Sequence, residues 1–304
     1  MKPVRTEQRN PRSRGLDRKS TLEILRTLNR EDARVALAVR RELPKVARAV
    51  DAIVKALGSG GRLFYIGAGT SGRLAVLDAA ECPPTFGTPP KMVQAIIAGG
   101  ARALRHASEG AEDSAAGGAR DLRRAGLTSK DVVVGLAASG TTPYVLGALA
   151  FARRRGAVTV GVTANPRSPL ARAARISIAP NTGPEAISGS TRLKAGTAQK
   201  LVLNLLSTAA MVRLGRVYEN WMVHVALTNQ KLRRRGVRIL QEVAGVSAST
   251  AEHAVRQAGN NLAAALVMLK TGGSARDVRK WLAATGGNVR QALDAAGKPP
   301  KKNI

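Results

Sequence analysis

Two short runs combine glycine with hydroxyl side chains directly after an apolar stretch: Gly67-Ala68-Gly69-Thr70-Ser71-Gly72 and Ala137-Ala138-Ser139-Gly140-Thr141-Thr142. A turn of this kind that opens a helix offers backbone N–H groups and the positive end of the helix dipole to an anion, and hydroxyls add short hydrogen bonds. Gly69, Thr70, Ser71 and Gly72, with Ser139, Gly140, Thr141 and Thr142, therefore suit a compact phosphate monoester if the two turns end adjacent strands. The alternative is that Ser and Thr only cap two helices. Gly67, Gly69 and Gly72 also satisfy G-x-G-x-x-G. A dinucleotide site would need an acidic residue closing the second strand, and that strand runs instead into Ala98-Gly99-Gly100. One helix downstream of the first turn stands a carboxylate, Glu81, beside Cys82 and Pro83-Pro84.

The elements that must place these turns alternate between strand and helix. Short, nearly continuous apolar runs at 62–67, 92–98, 131–137, 158–163 and 175–179 read as strands buried on both faces. Helical stretches lie between them, including 143–155, and Asn165-Pro166 offers a cap and first-turn proline for another. The alternation predicts an α/β fold, an open parallel sheet with helices on both sides. Upstream, Ser20-Thr21-Leu22-Glu23 fits a capping box, followed by an amphipathic helical pair to about Leu57 with a break near Pro44. Downstream, residues 194–214 read as a long buried helix, and the remainder as a helical bundle broken near Gly245, Gly259, Gly272-Gly273 and Gly286-Gly287. Residues 246–269 divide into two short helices meeting at Gly259-Asn260. These patterns give an N-terminal helical segment (1–52), an α/β domain (53–216) and a C-terminal helical domain (217–304), with loose ends before about Thr6 and after Gly297. No internal repeat is evident.

A chain of 304 residues with 44% hydrophobic content and 31 glycines is long enough for one sizeable core and a satellite domain. The single cysteine, Cys82, forbids an internal disulfide, and a packing role suits it better than a nucleophilic one. The N-terminal stretch has charge but no apolar core, and no run approaches ~18 apolar residues, so a soluble cytoplasmic protein is expected. His106, His224 and His253 are far apart and lack companions at ligand spacing, so no metal is expected. The net charge of +29 attracts polyanions. Arginines are nevertheless scattered, aromatics make up 3% of the chain, and no nucleic-acid-binding signature is present. Nucleic acid is not the expected principal partner.

The stretches GAGTSGRLAVLDAAECPPTFG, EGAEDS, AASGTTPYVLGAL and GPEAISGSTRLKAGTAQKLVLNLLST together resemble the N-acetylmuramic acid 6-phosphate etherases, a family with a sugar isomerase (SIS) domain. The similarity runs from about residue 6 to about residue 293, and 183–200 is its most specific part, shared with the related glucokinase regulatory protein. One departure is Thr141, which stands where the family often carries arginine; it bears on one phosphate contact and not on the fold.

The resemblance implies a doubly wound five-stranded parallel sheet, a helical C-terminal domain, a homodimer and no cofactor. It also implies cleavage of a D-lactyl ether on a phosphorylated amino sugar. Glu81 and Glu112 match the family's two catalytic glutamates, with Glu81 expected as general acid and Glu112 as base, the exchanged roles being the alternative. Ser190, Thr191 and Arg192 are expected to line or support the site. Lys194 is expected to neutralise an enolate oxygen or the phosphate, unless it is only a solvated helix-start lysine; Glu185 lies in the same stretch without an assigned role. A helix from Ser71 to Ala80 puts Glu81 ~15 Å from the first turn. Either Pro83-Pro84 folds the chain back, or the site is shared between subunits. A burial that lifts a working carboxyl's pKa is expected there. The other function consistent with the turns is a sugar-phosphate sensor without catalysis, which would need neither glutamate.

Overall fold

The structure is a computed structural model that describes residues 5–106 and 108–297. Residues 1–4 and 298–304, within the ends set aside as loose, lie outside that range. The chain forms two compact units, Met1–Ala80 with Pro90–Ala210, and Glu81–Pro89 with Met211–Ile304. Among the described residues, no helix is long and apolar enough to cross a membrane.

The first unit is built on five parallel strands: β1 (Leu63–Gly67), β2 (Val93–Ile97), β3 (Val132–Leu136), β4 (Val158–Val162) and β5 (Ile176–Ile178). All five apolar runs become strands, trimmed by a residue or so at their ends. Every residue of β1 and β3 is buried, as continuous apolar runs in a sheet covered on both faces require. The order is β2-β1-β3-β4-β5. Gly67 pairs with both Ile97 and Leu136, Leu136 with Val162, and Val162 with Ile178, so the carboxyl ends of the strands are level. The chain leaves β1 for β2 on one side and crosses to β3 on the other. The crevice above β1 and β3 is therefore the switch point at which open α/β sheets take ligands.

Among the described residues, eight α-helices accompany this sheet: α1 (Thr21–Asp32), α2 (Val35–Arg40), α3 (Leu43–Gly58), α4 (Gly69–Phe86), α5 (Ala115–Arg124), α6 (Pro143–Arg154), α7 (Pro169–Ala173) and α8 (Lys194–Arg213). The capping box is present at α1, where Glu23 accepts from the Ser20 N–H at 2.9 Å. The expected helical pair is three helices, and Pro44 sits in the first turn of α3, where its missing N–H costs nothing. Val46, Ala49, Val50, Ile53 and Leu57 form the buried stripe of α3, which packs on β1, β3 and β5. The N-terminal helices lie in the same compact unit as the sheet.

Two local expectations are corrected. Helix α7 starts at Ser168-Pro169, because Ser168 Oγ accepts the Ala171 N–H at 3.2 Å. Asn165 forms a turn instead, its side-chain oxygen accepting the Arg167 N–H at 3.3 Å. Pro83 and Pro84 lie inside α4, and the helix continues past them to Phe86 before Gly87, at φ 60°, ends it. The chain does not fold back at the proline pair.

The second unit carries α9 (Gln230–Ala244), α10 (Ala248–Gln257), α11 (Leu262–Thr271), α12 (Ala275–Ala284) and α13 (Val289–Ala296) around Ile239, Leu240, Leu266, Val278 and Val289. The breaks expected at glycines hold; Gly245 and Gly272 are left-handed caps. A repeat overlooked in the linear sequence is plain here. Helices α10–α11 and α12–α13 are the same motif 27 residues apart. Ser247 and Ser274 cap the first helices, and Asn261 and Asn288 cap the second ones. The turn bonds coincide as well: Asn260 N–H to the Val255 carbonyl at 2.9 Å, and Gly287 N–H to the Leu282 carbonyl at 2.7 Å. Only the caps, turn and a few apolar positions are shared, which is why the duplication is faint in sequence.

His224 ties this unit's loops to the second copy, with Nε2 2.9 Å from the Gly287 carbonyl oxygen. Burial, with Arg216 nearby, lowers its pKa to about 4. The unfolded chain takes up a proton near pH 6.5 that the folded one refuses until about pH 4. Stability is therefore full above that range and declines as pH falls through it, by about 3 kcal/mol. Urea unfolding at pH 7.5 and 4.5 measures the loss, and His224→Gln should shrink it.

Candidate functional site

The first turn leaves β1 at Gly67 and enters α4 at once. Gly67 and Gly72 are the contact that permits this: a Cβ on Gly72 would fall 2.5 Å from Ile97 Cγ1 and 2.8 Å from the Gly67 carbonyl oxygen. Gly69 adopts φ 51° with open space around it. Helix α4 therefore begins against the strand end, which sets the positive end of its dipole at the carboxyl edge of the sheet. Ser71 is buried, and its Oγ donates to Gln199 Oε1 of α8 at 2.8 Å. Thr70 is half-buried beside it.

The second turn, after β3, is held by the β4–α7 connection. Gly140 takes φ 74°, its N–H bonds the Ala137 carbonyl at 3.0 Å, and its carbonyl accepts the Leu170 N–H at 3.0 Å. Thr163 Oγ1 donates to the Ala138 carbonyl at 3.1 Å. Ser139 Oγ accepts the Thr141 N–H at 3.2 Å and lies 2.9 Å from Thr141 Oγ1. Thr142 is the N-cap residue of α6, yet its side chain makes no capping bond. The purely capping alternative therefore fails at this position. Because β1 and β3 are paired in register, the two turns emerge side by side.

The stretch around residues 183–200 reaches both. Ala195 packs with Ala138 and Ala164, and a Cβ added at Gly196 would lie 3.5 Å from Thr70 Cγ2. Glu185, buried, caps α8: its oxygens accept the Lys194 and Ala195 N–H groups at 3.0 and 2.9 Å. Ser190 and Thr191 sit half-buried in the turn before α8, and Arg192 is exposed.

Lys194 departs from expectation. It is neither solvated nor presented at the turns: it is 1% exposed, and its ammonium donates to Glu31 Oε2 at 2.5 Å. Asn10 Nδ2 (2.7 Å) and the Arg12 guanidinium complete the Glu31 shell, and with Arg12 contributing most they hold its carboxyl at about 2. Further bonds dock the N-terminal strand of chain on the same loop: Ser13 Oγ to the Ala186 carbonyl (2.7 Å), Ser188 Oγ to the Glu7 carbonyl (2.8 Å) and Gly189 N–H to the Thr6 carbonyl (3.0 Å). Sequence reading missed Asn10, Arg12, Glu31 and Gln199, whose partners lie more than 100 residues away except for Glu31 with Asn10 and Arg12. No local pattern announces such pairs.

Glu112 is brought to the second turn. Its carbonyl accepts the Tyr144 N–H, in the first turn of α6, at 3.0 Å. The placement depends on α5 and α6 touching backbone to backbone. A Cβ at Gly147 would come 2.1 Å from the Ala115 carbonyl oxygen, and one at Gly118 would come 2.0 Å from that of Tyr144. Gly147→Ala must push the helices apart and should cost about 1–3 kcal/mol, with a loss of activity exceeding what reduced folding explains. Denaturant unfolding beside specific activity tests this. Glu81 lies in the part of α4 that belongs to the helical unit. Both glutamate side chains are exposed, so the burial expected of them is not supplied within one chain. Among the described residues, no cluster of three or more His, Cys, Asp or Glu side chains is placed to hold a metal ion.

Residues 45–153 match the glucokinase regulatory protein N-terminal SIS domain. The N-acetylmuramic acid 6-phosphate etherase of Yersinia pestis (strain Pestoides F) is 56% identical over 288 residues, covering 95% of this chain and 98% of that protein. The etherase of Yersinia pseudotuberculosis (serotype O:1b, strain IP 31758) matches to the same extent. The chain belongs to the N-acetylmuramic acid 6-phosphate etherase family. A phosphoheptose isomerase structure from Francisella tularensis shares the fold, with TM-score 0.52 and 18% identity, over 64% of this chain and 100% of that one.

Proposed function

We propose that this chain cleaves the D-lactyl ether of N-acetylmuramic acid 6-phosphate, giving N-acetylglucosamine 6-phosphate and D-lactate, in the cytoplasm and as a homodimer. The observation that carries the reading is the pair of hydroxyl-bearing turns, level at the β1/β3 switch point, in a chain 56% identical to named etherases. The turns hold the phosphate through Thr70, Ser71, Ser139, Thr141, Thr142 and backbone N–H groups, and Ser190, half-buried before α8, is assigned to the same site. Lys194 is assigned to the scaffold of the loop, given its bond to Glu31.

An ether on C3 is inert until the C2 proton is removed. In the open-chain sugar C2 adjoins the C1 aldehyde, so a base generates an enolate. The enolate's electrons form a C2=C3 double bond as the C3–O bond breaks, and the departing lactate oxygen takes a proton from an acid. Water then adds its oxygen to C3 while a proton returns to C2. Glu112, fixed beside the second turn, is assigned as base, and Glu81 as acid; elimination and hydration reverse the proton traffic, so the pair serves both steps. A second copy of the chain covers the exposed carboxylates and completes the site.

Purified protein incubated with N-acetylmuramic acid 6-phosphate tests the proposal through released D-lactate. Saturable sugar-phosphate binding with no lactate would favour a sensor of the glucokinase regulatory protein kind, and the absence of both binding and lactate release would refute a phosphate site altogether.

A further inference from the structure

We propose that Gln199 is the positioning residue for Ser71, its side-chain amide switching from acceptor to donor as the phosphate site fills. This rests on the first turn being a phosphate cradle. Ser71 is 7% exposed and Gln199 2% exposed. The Ser71 hydroxyl donates to Gln199 Oε1 at 2.8 Å, while Gln199 Nε2 has no hydrogen-bond partner among the described residues. The face of α8 that carries Gln199 abuts the turn, because Gly196, three residues earlier, approaches Thr70.

A hydroxyl has one proton to give, and a phosphate oxygen only accepts. With its proton on Gln199, Ser71 has none for the ligand. Turning the carboxamide end for end sets Nε2 against Ser71 Oγ. The amide then donates, and the Ser71 proton is free to reach a phosphate oxygen. A carboxamide with one end unpaired in a buried site is incompletely satisfied in the orientation seen, so the pair is poised and not locked. Glutamine suits the position because it alone among the acidic, amide and apolar side chains of that size both accepts and donates.

The test measures D-lactate release and N-acetylglucosamine 6-phosphate affinity in Gln199→Met, Gln199→Glu and Ser71→Ala, singly and as the Gln199→Met/Ser71→Ala double variant. Gln199→Met should raise KM about tenfold with kcat within about twofold. Gln199→Glu keeps the shape but only accepts and adds a charge, and should raise KM about a hundredfold. In the Ser71→Ala background Gln199→Met should add nothing further, because its effect passes through the lost hydroxyl. Full additivity in the double variant, or a Gln199→Glu protein with wild-type KM, overturns the proposal. Thermal unfolding midpoints identify a folding defect; if Gln199→Met does not fold, the near-isosteric Gln199→Glu decides. Wild-type protein that neither releases lactate nor binds the sugar phosphate overturns the function reading and this one together, whereas active wild type with unaffected variants overturns this one alone.

Discussion

Glu112→Gln should lower the rate of D-lactate release ~10²–10⁴-fold with little change in KM, and Glu81→Gln should do the same. Glutamine keeps the shape of each side chain and removes its capacity to exchange a proton, so the loss belongs in the chemical step. Both residues are exposed, so neither change should disturb folding. Unequal losses would rank the two roles: the residue that carries the C2 proton controls the harder transfer. Full activity in either variant would remove that residue from the mechanism. The same pair tests the shared site. Glu81→Ala and Glu112→Ala chains, each inactive alone, should regain part of the activity when mixed and allowed to exchange subunits, if the two glutamates of one site come from different chains. No recovery on mixing would place both in one chain.

The second large effect is on stability. Glu31→Gln leaves the Lys194 ammonium, 1% exposed, without its carboxylate. An uncompensated charge at such depth costs ~3–5 kcal/mol, whereas a surface ion pair is worth about 0–1 kcal/mol. Replacing both partners, Glu31→Met with Lys194→Met, should recover much of the loss, because no stranded charge remains. Denaturant unfolding of the three variants checks this. The pH response has a definite sign. Glu31 is held at about 2 chiefly by the Arg12 guanidinium, with Lys194 and Asn10 adding to it. Its contribution is complete above pH ~4.5 and is lost as pH falls toward 2. Activity should fall with stability, since Glu31 joins the N-terminal stretch, through Asn10 and Arg12, to Lys194 at the head of α8.

How much of this was legible beforehand depended on the range of the interaction. The strands were readable because a strand buried on both faces must be apolar at every position, and β1 and β3 are. The two turns were readable because glycine and hydroxyl residues at a strand end leave few other uses. The cap of α7 lies three residues beyond the expected one, since Asn165-Pro166 offers the same local chemistry as Ser168-Pro169 and the bond from Leu170 N–H to the Gly140 carbonyl favours the latter. The fold-back offered by the proline pair fails for a related reason: local propensity disfavours helix there, and α4 nevertheless continues through both prolines.

The element order, the parallel sheet, the two turns and the family can all be read from the chain without coordinates, since each rests on neighbouring residues or on a long run of identities. Which side chains are free to act follows only from the folded arrangement. It bound Lys194 to Glu31 across 163 residues and Ser71 to Gln199 across 128, and brought Glu112 to the start of α6 through two glycines that let helices touch. The physical reason is that a hydrogen bond or ion pair is local in space only; two polar residues far apart in the chain carry no mark of meeting until the sheet order sets them side by side.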